Sequence, residues 1–179
     1  MRSIYKIVVC SLLTLSITSC EKDLLEKEQY QKEIYLIGAY NRVWTTEVSY
    51  SNEEVKTYFT VSSSGTLALD RDVNVKMKIN EELVDIYNKK YWTVLNEDKY
   101  YKSLDTDLYS IPSLENTVIK HAEGISAEVP VLIKTASLKI DQSYVIPVEI
   151  ESTTGYPVST SGYKMLVLLK LKNDYSGSY

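Results

Sequence analysis

The chain has 179 residues, of which 44% are hydrophobic, and a formal net charge of −4 at pH 7. This length fits a single domain with one hydrophobic core. The acidic balance disfavours nucleic acid and anionic lipid head groups as partners, because both repel a negatively charged surface.

The first 20 residues have the order of a bacterial lipoprotein signal peptide. Arg2 and Lys6 give a basic start, residues 7–17 are almost entirely apolar, and two small residues lead into Cys20. The apolar run of about 11 residues is too short to cross a bilayer, which needs roughly 20. Residues 15–20 resemble a lipobox, in which the cysteine becomes the acylated N-terminus. The alternatives are an ordinary secretory signal, which leaves the cysteine free, and a buried N-terminal helix.

We therefore expect cleavage before Cys20 and attachment to a membrane through lipid on that cysteine. Several acyl chains on one residue exceed the two signals that stable anchoring requires. The following Glu21-Lys22-Asp23 resembles the acidic tag with which Bacteroidetes lipoproteins reach the outer face of the outer membrane. The predicted location is thus the outer membrane, lipid-anchored and facing the cell exterior, with the periplasmic face as the alternative.

The predicted division of the chain has four parts: a signal peptide at 1–19, a lipidated cysteine with a charged tether at 20–33, a domain at 34–173 and a tail at 174–179. Removal of the signal peptide takes away Arg2 and Lys6, which leaves a net charge of −6. Cys10 is also removed, so the mature chain has one cysteine and no internal disulfide.

From residue 34 onward, short runs rich in Val, Ile, Thr and Tyr alternate with clusters of Ser, Asn, Gly and Asp, which is typical of an all-β protein. The alternation of apolar and polar residues across 73–79 predicts a strand with one buried and one solvated face. We also predict strands at 34–40, 43–50, 55–61, 117–120, 127–133, 144–150 and 163–171.

A short helix is predicted from Glu81 to about Lys90, with Asn80 as its cap and with end charges that complement the helix dipole. We expect its apolar side chains to close one end of a sandwich. These side chains are Leu83, Ile86, Tyr87 and Tyr91.

The last predicted strand, 163–171, is apolar on both faces and should be central in its sheet. Pro130 and Pro147 should confine their strands to sheet edges or bulges. About seven strands, one inserted helix and turns at intervals of roughly ten residues together predict an immunoglobulin-like β-sandwich.

The order of several short motifs between Tyr35 and Lys172 resembles a known family. The motifs are Asp72-Val73-Asn74-Val75, Tyr87-Asn88, Tyr100, Ile111-Pro112, Val118-Ile119, Gly124 and Tyr144-Val145-Ile146-Pro147-Val148. Their series is similar to the Bacteroidetes domain of unknown function that forms the N-terminal immunoglobulin-like module of surface lipoproteins in polysaccharide-utilisation loci. The resemblance implies a non-catalytic module, because catalysis in such proteins belongs to a second domain. Where the family tends to have Leu-Pro after Tyr100, this chain has Tyr101-Lys102-Ser103-Leu104, which leaves the conformation of that connection open.

The residues that carry most enzyme chemistry are sparse. Asp70, Asp72, Asn74 and Glu81 have the spacing of a calcium-binding loop, but Val75 occupies the position that requires glycine, so a solvated strand face is the preferred interpretation. His121 is the only histidine, which excludes a His-rich zinc site. We expect no enzyme activity, no metal site and no cofactor.

Aromatic residues in or beside connections are the remaining candidates for ligand contact, because a flat ring can stack on the apolar face of a sugar. The alternative is that they pack the helix onto the sandwich. The predicted function is a non-catalytic surface module that binds a glycan or a partner protein of an outer-membrane polysaccharide-uptake system. A structural spacer or an adhesin-type domain without glycan binding is the alternative. The candidate ligand-binding residues are Trp44, Trp92, Tyr100, Tyr101 and Tyr109.

Overall fold

The computed structural model describes residues 27–172. Cys20, the predicted signal peptide and the predicted tail at 174–179 lie outside the described residues. The strands in chain order are β1 (Ile34–Leu36), β2 (Val43–Ser49), β3 (Glu54–Ser63), β4 (Val73–Ile79), β5 (Lys102–Ser103), β6 (Tyr109–Ser110), β7 (Thr117–Ile119), β8 (Ser126–Lys134), β9 (Tyr144–Thr153) and β10 (Lys164–Lys172).

The strands form two sheets that face each other. One sheet has four strands in the order β1-β3-β8-β6, and the other has β2-β10-β9-β4-β7, with β5 pairing alongside β9. Pairing is antiparallel except for β2 with β10 and β5 with β9. The predicted immunoglobulin-like β-sandwich is confirmed, and the strands that the sequence pattern missed are the two-residue strands β5 and β6.

The core lies between the two sheets, where alternating side chains from both inner faces meet. The predicted alternation in β4 is confirmed, since Val73, Val75 and Met77 are buried while the residues between them are exposed. Phe59 and Val131 are fully buried from the opposite sheet. The core residues that β9 and β10 contribute are Ile146, Val148, Ile150, Met165, Val167 and Leu169.

The last strand is central in its sheet, as its two apolar faces predict, because β10 pairs with β2 on one side and β9 on the other. Its outward residues Leu166 and Leu168 belong to a second apolar cluster. That cluster needs a cover, because an apolar sheet face is stable only when another element excludes water from it.

The cover is the helix α1 (Glu82–Tyr91). Asn80 caps it as predicted, since its Oδ1 accepts a hydrogen bond of 3.2 Å from the backbone N–H of Glu82. The expectation that the helix closes one end of the sandwich is wrong, because α1 lies on the outer face of the six-stranded sheet. The helix residues Leu83 and Val84 pack there with Val145 and Leu166.

The helix face also differs from the predicted one. Ile86 is 51% exposed and Tyr91 is 49% exposed, whereas Val84 and Asn88 are buried. The amphipathic period alone cannot choose between adjacent faces when apolar residues are spread around the helix.

The expectation for Pro147 is also wrong, because β9 is an interior strand. The Pro147 carbonyl accepts a hydrogen bond of 3.0 Å from Asn80, just beyond the end of β4. Further along the same edge of β9, β5 pairs with Tyr144 and Val145. Proline is tolerated here because the position of its missing N–H lies between β5 and the end of β4, which follow each other along this edge of β9.

The connection that the sequence left open forms part of the sandwich. After β5, Leu104 is 1% exposed, and its backbone N–H donates to the Val145 carbonyl at 2.9 Å. The segment Tyr101-Lys102-Ser103-Leu104 therefore extends the sheet and inserts one side chain into the core.

The described part of the predicted tether contacts the turn after β3. The Glu28 carboxylate accepts backbone hydrogen bonds from Thr66 and Leu67 and pairs with Lys32. The Ser64 hydroxyl donates to the Gln31 carbonyl at 3.1 Å. These bonds fix residues 28–33 against one end of the sandwich. Between residues 27 and 172, no helix is long and apolar enough to cross a bilayer.

Candidate functional site

A cleft of about 410 Å³ opens between α1, the turn that joins β1 to β2, and the start of β10. We name it the helix–sheet cleft. Its volume lies in the ~300–1,000 Å³ range of small-molecule sites. The lining residues are Ala39, Tyr40, Arg42, Leu83, Ile86, Tyr87, Thr160, Ser161, Tyr163, Lys164, Met165 and Leu166.

The first wall is a tight turn in which the chain passes from one sheet to the other. Gly38 has a φ of 89°, and a Cβ atom there would lie 2.7 Å from the Trp44 ring, so only glycine fits without a shift. The short 3-10 helix Ala39–Asn41 follows and leaves Tyr40 90% exposed. Arg42 has a φ of 64°, and its carbonyl accepts a 2.8 Å hydrogen bond from Leu166. The turn therefore presents Tyr40 and Arg42 from a fixed backbone.

The second wall is α1, where Tyr87 is supported from behind. Its ring stacks on Tyr101 with centroids 5.2 Å apart and planes inclined by 11°. The buried Asn88 side chain holds Tyr101 in place, donating to its carbonyl at 2.9 Å and accepting from its N–H at 3.0 Å. Burial raises the pKa of Tyr87 to about 12, with a further contribution from Tyr101. Tyr87 is therefore a rigid, neutral ring at the cleft.

The third wall is the segment that leads into β10. Tyr163 is half-buried, and the Lys164 Nζ lies 4.8 Å from the centroid of its ring, which is within the range of a cation–π contact. Thr160 and Ser161 are exposed and bring two hydroxyl groups to the rim. The cleft thus combines aromatic rings with hydrogen-bonding groups.

None of the five aromatic residues singled out from the sequence lines this cleft. Trp44 and Tyr109 are half-buried and pack against the main core. The Trp44 Nε1 and the Tyr109 hydroxyl have no hydrogen-bond partner among residues 27–172. Burial, with a smaller contribution from Glu81, raises the pKa of Tyr109 to about 12. Their positions favour the packing alternative for these two residues.

The other three residues lie on the helix side of the molecule. Trp92 follows α1 directly, and the Lys99 Nζ lies 5.7 Å from its ring centroid. Tyr100 is half-buried, and its carbonyl accepts a 3.4 Å bond from Gln142. Tyr101 reaches the cleft only indirectly, as the ring behind Tyr87.

Sequence reasoning missed Tyr40, Arg42 and Lys164 as site residues and assigned Tyr87 to packing. Residues 34–40 were expected to form one strand, which would have removed Tyr40 from any turn. The signal that could have identified the turn was Gly38, because glycine within a strand pattern marks a tight bend or a close approach. The contact between that turn and β10 joins residues more than 120 positions apart, and nothing local predicts it.

The acidic residues of the possible calcium loop are engaged with other side chains. Asp70 accepts hydrogen bonds from Arg71 and Tyr156. Asp72 accepts from the His121 backbone at 3.0 Å and lies 2.6 Å from its ring Nδ1, and these bonds lower the pKa of Asp72. Across residues 27–172, no group of three or more His, Cys, Asp or Glu side chains could hold a metal ion.

The fold and the cleft define a β-sandwich module in which a helix covers the outer face of one sheet. A family model described as an N-terminal domain matches residues 30–157. The chain belongs to this family, which is the Bacteroidetes domain family of unknown function indicated by the motif order.

Solved structures from Bacteroides ovatus share the fold. A protein of unknown function has 19% identity and a TM-score of 0.64, over 84% of this chain and 49% of that one. A multidomain protein including DUF1735 has 21% identity and a TM-score of 0.59, over 78% and 44%. A candidate carbohydrate-binding protein has 18% identity and a TM-score of 0.59, over 77% and 36%.

This chain therefore spans half or less of the length of these three solved proteins. No curated protein matches it. At such identities the similarity establishes the fold alone.

Proposed function

We propose that this protein is a lipid-anchored, non-catalytic module of the outer-membrane surface that binds a glycan in the helix–sheet cleft. The observation that carries the proposal is the convergence of Tyr40, Tyr87 and Tyr163 on one cleft of about 410 Å³. A sugar ring has an apolar face that stacks on an aromatic ring and a hydroxyl edge that needs polar partners. Thr160 and Ser161 supply such partners at the rim.

The cleft supports binding rather than glycosidic cleavage. Glycoside hydrolysis ordinarily requires two carboxyl groups on opposite sides of the scissile bond. The described residues that line the cleft include no Asp, Glu or His. A sugar held there would meet tyrosine rings, hydroxyl groups and cationic side chains, none of which forms the required acid pair.

The aromatic residues identified from the sequence have a supporting role in this proposal. Tyr101 would hold Tyr87 at the angle that a sugar ring meets. Trp92 and Tyr100 would extend the contact surface beyond the end of α1, and Trp44 would hold the turn that carries Tyr40. The candidate carbohydrate-binding protein that shares the fold is in keeping with a glycan ligand.

Glycan binding in the cleft is tested by comparing the affinities of two variants, each of which removes one exposed tyrosine. Glycan-array screening of the domain starting near residue 27 would first identify a ligand, and calorimetry would then measure its affinity. Tyr40→Ala should weaken binding about three- to tenfold, the effect expected for one stacked ring. Tyr58→Ala, which removes a half-exposed tyrosine from the other sheet, is the control. Equal affinities of the two variants would contradict the cleft.

The membrane attachment has a separate test. Cys20→Ser should leave an unprocessed or soluble species, because the acyl chains are the proposed anchor. Membrane fractionation and surface proteolysis of cells that express the wild type and the variant would measure this. Wild-type levels of the variant in the membrane fraction would refute lipid anchoring.

One observation favours the structural spacer as a second function. β1 begins opposite Ser63, whereas β10 ends opposite Ser49, at the other end of the sandwich. The ten residues of β3 span this distance, which is about 30 Å at ~3.3 Å per residue. A sandwich with this polarity would hold groups attached before β1 and after β10 well apart, with or without a bound glycan.

A further inference from the structure

We infer that the glycan bound in the helix–sheet cleft is acidic, carrying a carboxylate or sulfate group that Arg42 and Lys164 recognise. This inference rests on the proposed function, because it specifies the chemical class of the ligand for the same cleft. The tyrosine rings favour a sugar of any charge, whereas the charged residues of the lining favour an acidic one.

Among the described residues that line the cleft, the two charged ones, Arg42 and Lys164, are both cations, although the chain carries a net charge of −4. A concave surface lined by one sign of charge concentrates the field within it. This field strengthens the binding of an anion, whereas a neutral sugar gains only hydrogen bonds and stacking.

Arg42 has no ion pair among the described residues, in contrast to lysines on the same sheet. Lys76 pairs with Glu151 at 2.7 Å, and Lys78 pairs with Glu149 at 3.7 Å. Lys172, at the end of β10, pairs with Glu47. The Arg42 guanidinium is therefore available, and its planar set of donors matches a carboxylate or sulfate in two-pronged geometry.

Lys164 is the second available cation. Glu149 lies opposite it in the strand register, but that carboxylate is held by Asn80 at 2.6 Å and by Lys78. The Lys164 ammonium instead lies 4.8 Å from the Tyr163 ring centroid. This contact places a cation beside an aromatic ring, the pair of groups that a charged sugar requires.

Arg42 also has a backbone conformation that is unfavourable for arginine. Its φ of 64° lies in the left-handed region, which favours glycine or asparagine over a long side chain. The turn would form at lower cost with either of those residues, so the arginine is better explained by its side chain than by its backbone.

The experiment uses matched oligosaccharides that differ only in charge. Trigalacturonate and the same trisaccharide after carboxyl reduction would be titrated into the domain starting near residue 27. A second pair, a chondroitin sulfate oligosaccharide and its desulfated form, separates recognition of sulfate from recognition of carboxylate. Neutral oligosaccharides from the glycan array complete the set.

We expect one acidic member of a pair to bind at least about tenfold more tightly than the counterpart that lacks the carboxyl or sulfate charge, with affinity falling as salt is raised. Arg42→Gln and Lys164→Gln should each lower the ratio of the two affinities about tenfold. Lys56→Gln makes the same charge change on the outer face of the other sheet, where Lys56 is exposed, and should have no effect. Thermal denaturation would verify that all three variants are folded.

The outcomes separate the inference from the proposed function. Binding of neutral glycans in the cleft, lost in Tyr40→Ala but unchanged in Arg42→Gln and Lys164→Gln, would overturn the acidic ligand and leave glycan binding intact. No binding of any oligosaccharide, acidic or neutral, would overturn both. Equal weakening by Lys56→Gln would show a diffuse charge effect and would also refute recognition by these two cations.

Discussion

The outer faces of the two sheets differ in a way that decides where a cleft can form. On the four-stranded sheet, Lys56, Tyr58 and Glu128 are exposed, and no helix within residues 27–172 covers them. On the six-stranded sheet, Val145 and Leu166 are buried beneath α1. One face is a plain solvated surface, and the other is a second small core.

The comparison shows how a flat sheet acquires a concave site. A helix laid on a sheet covers part of it and leaves a step along its flank. Here the flank of α1 meets the β1–β2 turn and the start of β10, which together enclose the helix–sheet cleft. The four-stranded sheet has no such step in the described part of the chain, because none of the described helices packs on its outer face.

The largest expected effect is the loss of apolar packing beneath the helix. Leu166→Ala should lower the free energy of unfolding by about 3–4 kcal/mol, because Leu166 is only 2% exposed and its removal leaves a cavity. Leu132→Ala makes the same change on the outer face of the other sheet, where Leu132 is half-buried, and should cost about 1 kcal/mol. Urea denaturation would measure both, and equal losses would contradict the difference between the faces.

A smaller effect is expected from the buried amide that joins α1 to β5. Asn88→Ala should cost about 2–3 kcal/mol, because the Tyr101 N–H and carbonyl each lose a hydrogen bond inside the protein. Asn74→Ala is the control, since Asn74 is exposed on β4. The same variant should weaken glycan binding, because Tyr101 supports Tyr87. Unchanged stability of Asn88→Ala would show that water replaces these hydrogen bonds.

The smallest effect concerns alkaline pH. The pKa of Tyr87 is raised to about 12 in the folded protein, against about 10 in an unfolded chain. A raised pKa contributes stability that is fully present below pH 10 and is lost as the pH rises towards 12. Tyr87→Phe should therefore lose less stability than the wild type between pH 10 and 12.

Denaturation at several pH values would measure this difference, with Tyr58→Phe on the open face as the control. Tyr109 also has a pKa of about 12, so Tyr87→Phe should reduce the alkaline loss without removing it. An unchanged slope in Tyr87→Phe would show that the Tyr87 hydroxyl is not shielded from water.

The class of fold and most of the strands were predictable from local residue patterns. The alternation across Val73–Ile79 matches the observed strand, and the two apolar faces of β10 correctly placed it within a sheet. These features are local, because side chains on a strand alternate between faces with a period of two. The motif order also identified the family.

The position of the helix and the lining of the cleft depend on contacts between distant parts of the chain. The apolar residues of α1 predict that it packs, but Leu166 and Val145 determine that it packs on the outer face of a sheet. The cleft joins Tyr40 and Arg42 to Tyr87 and Tyr163, residues contributed by three separate parts of the chain. No local sequence pattern predicts that these residues lie together, because their proximity depends on which face of the sheet the helix covers.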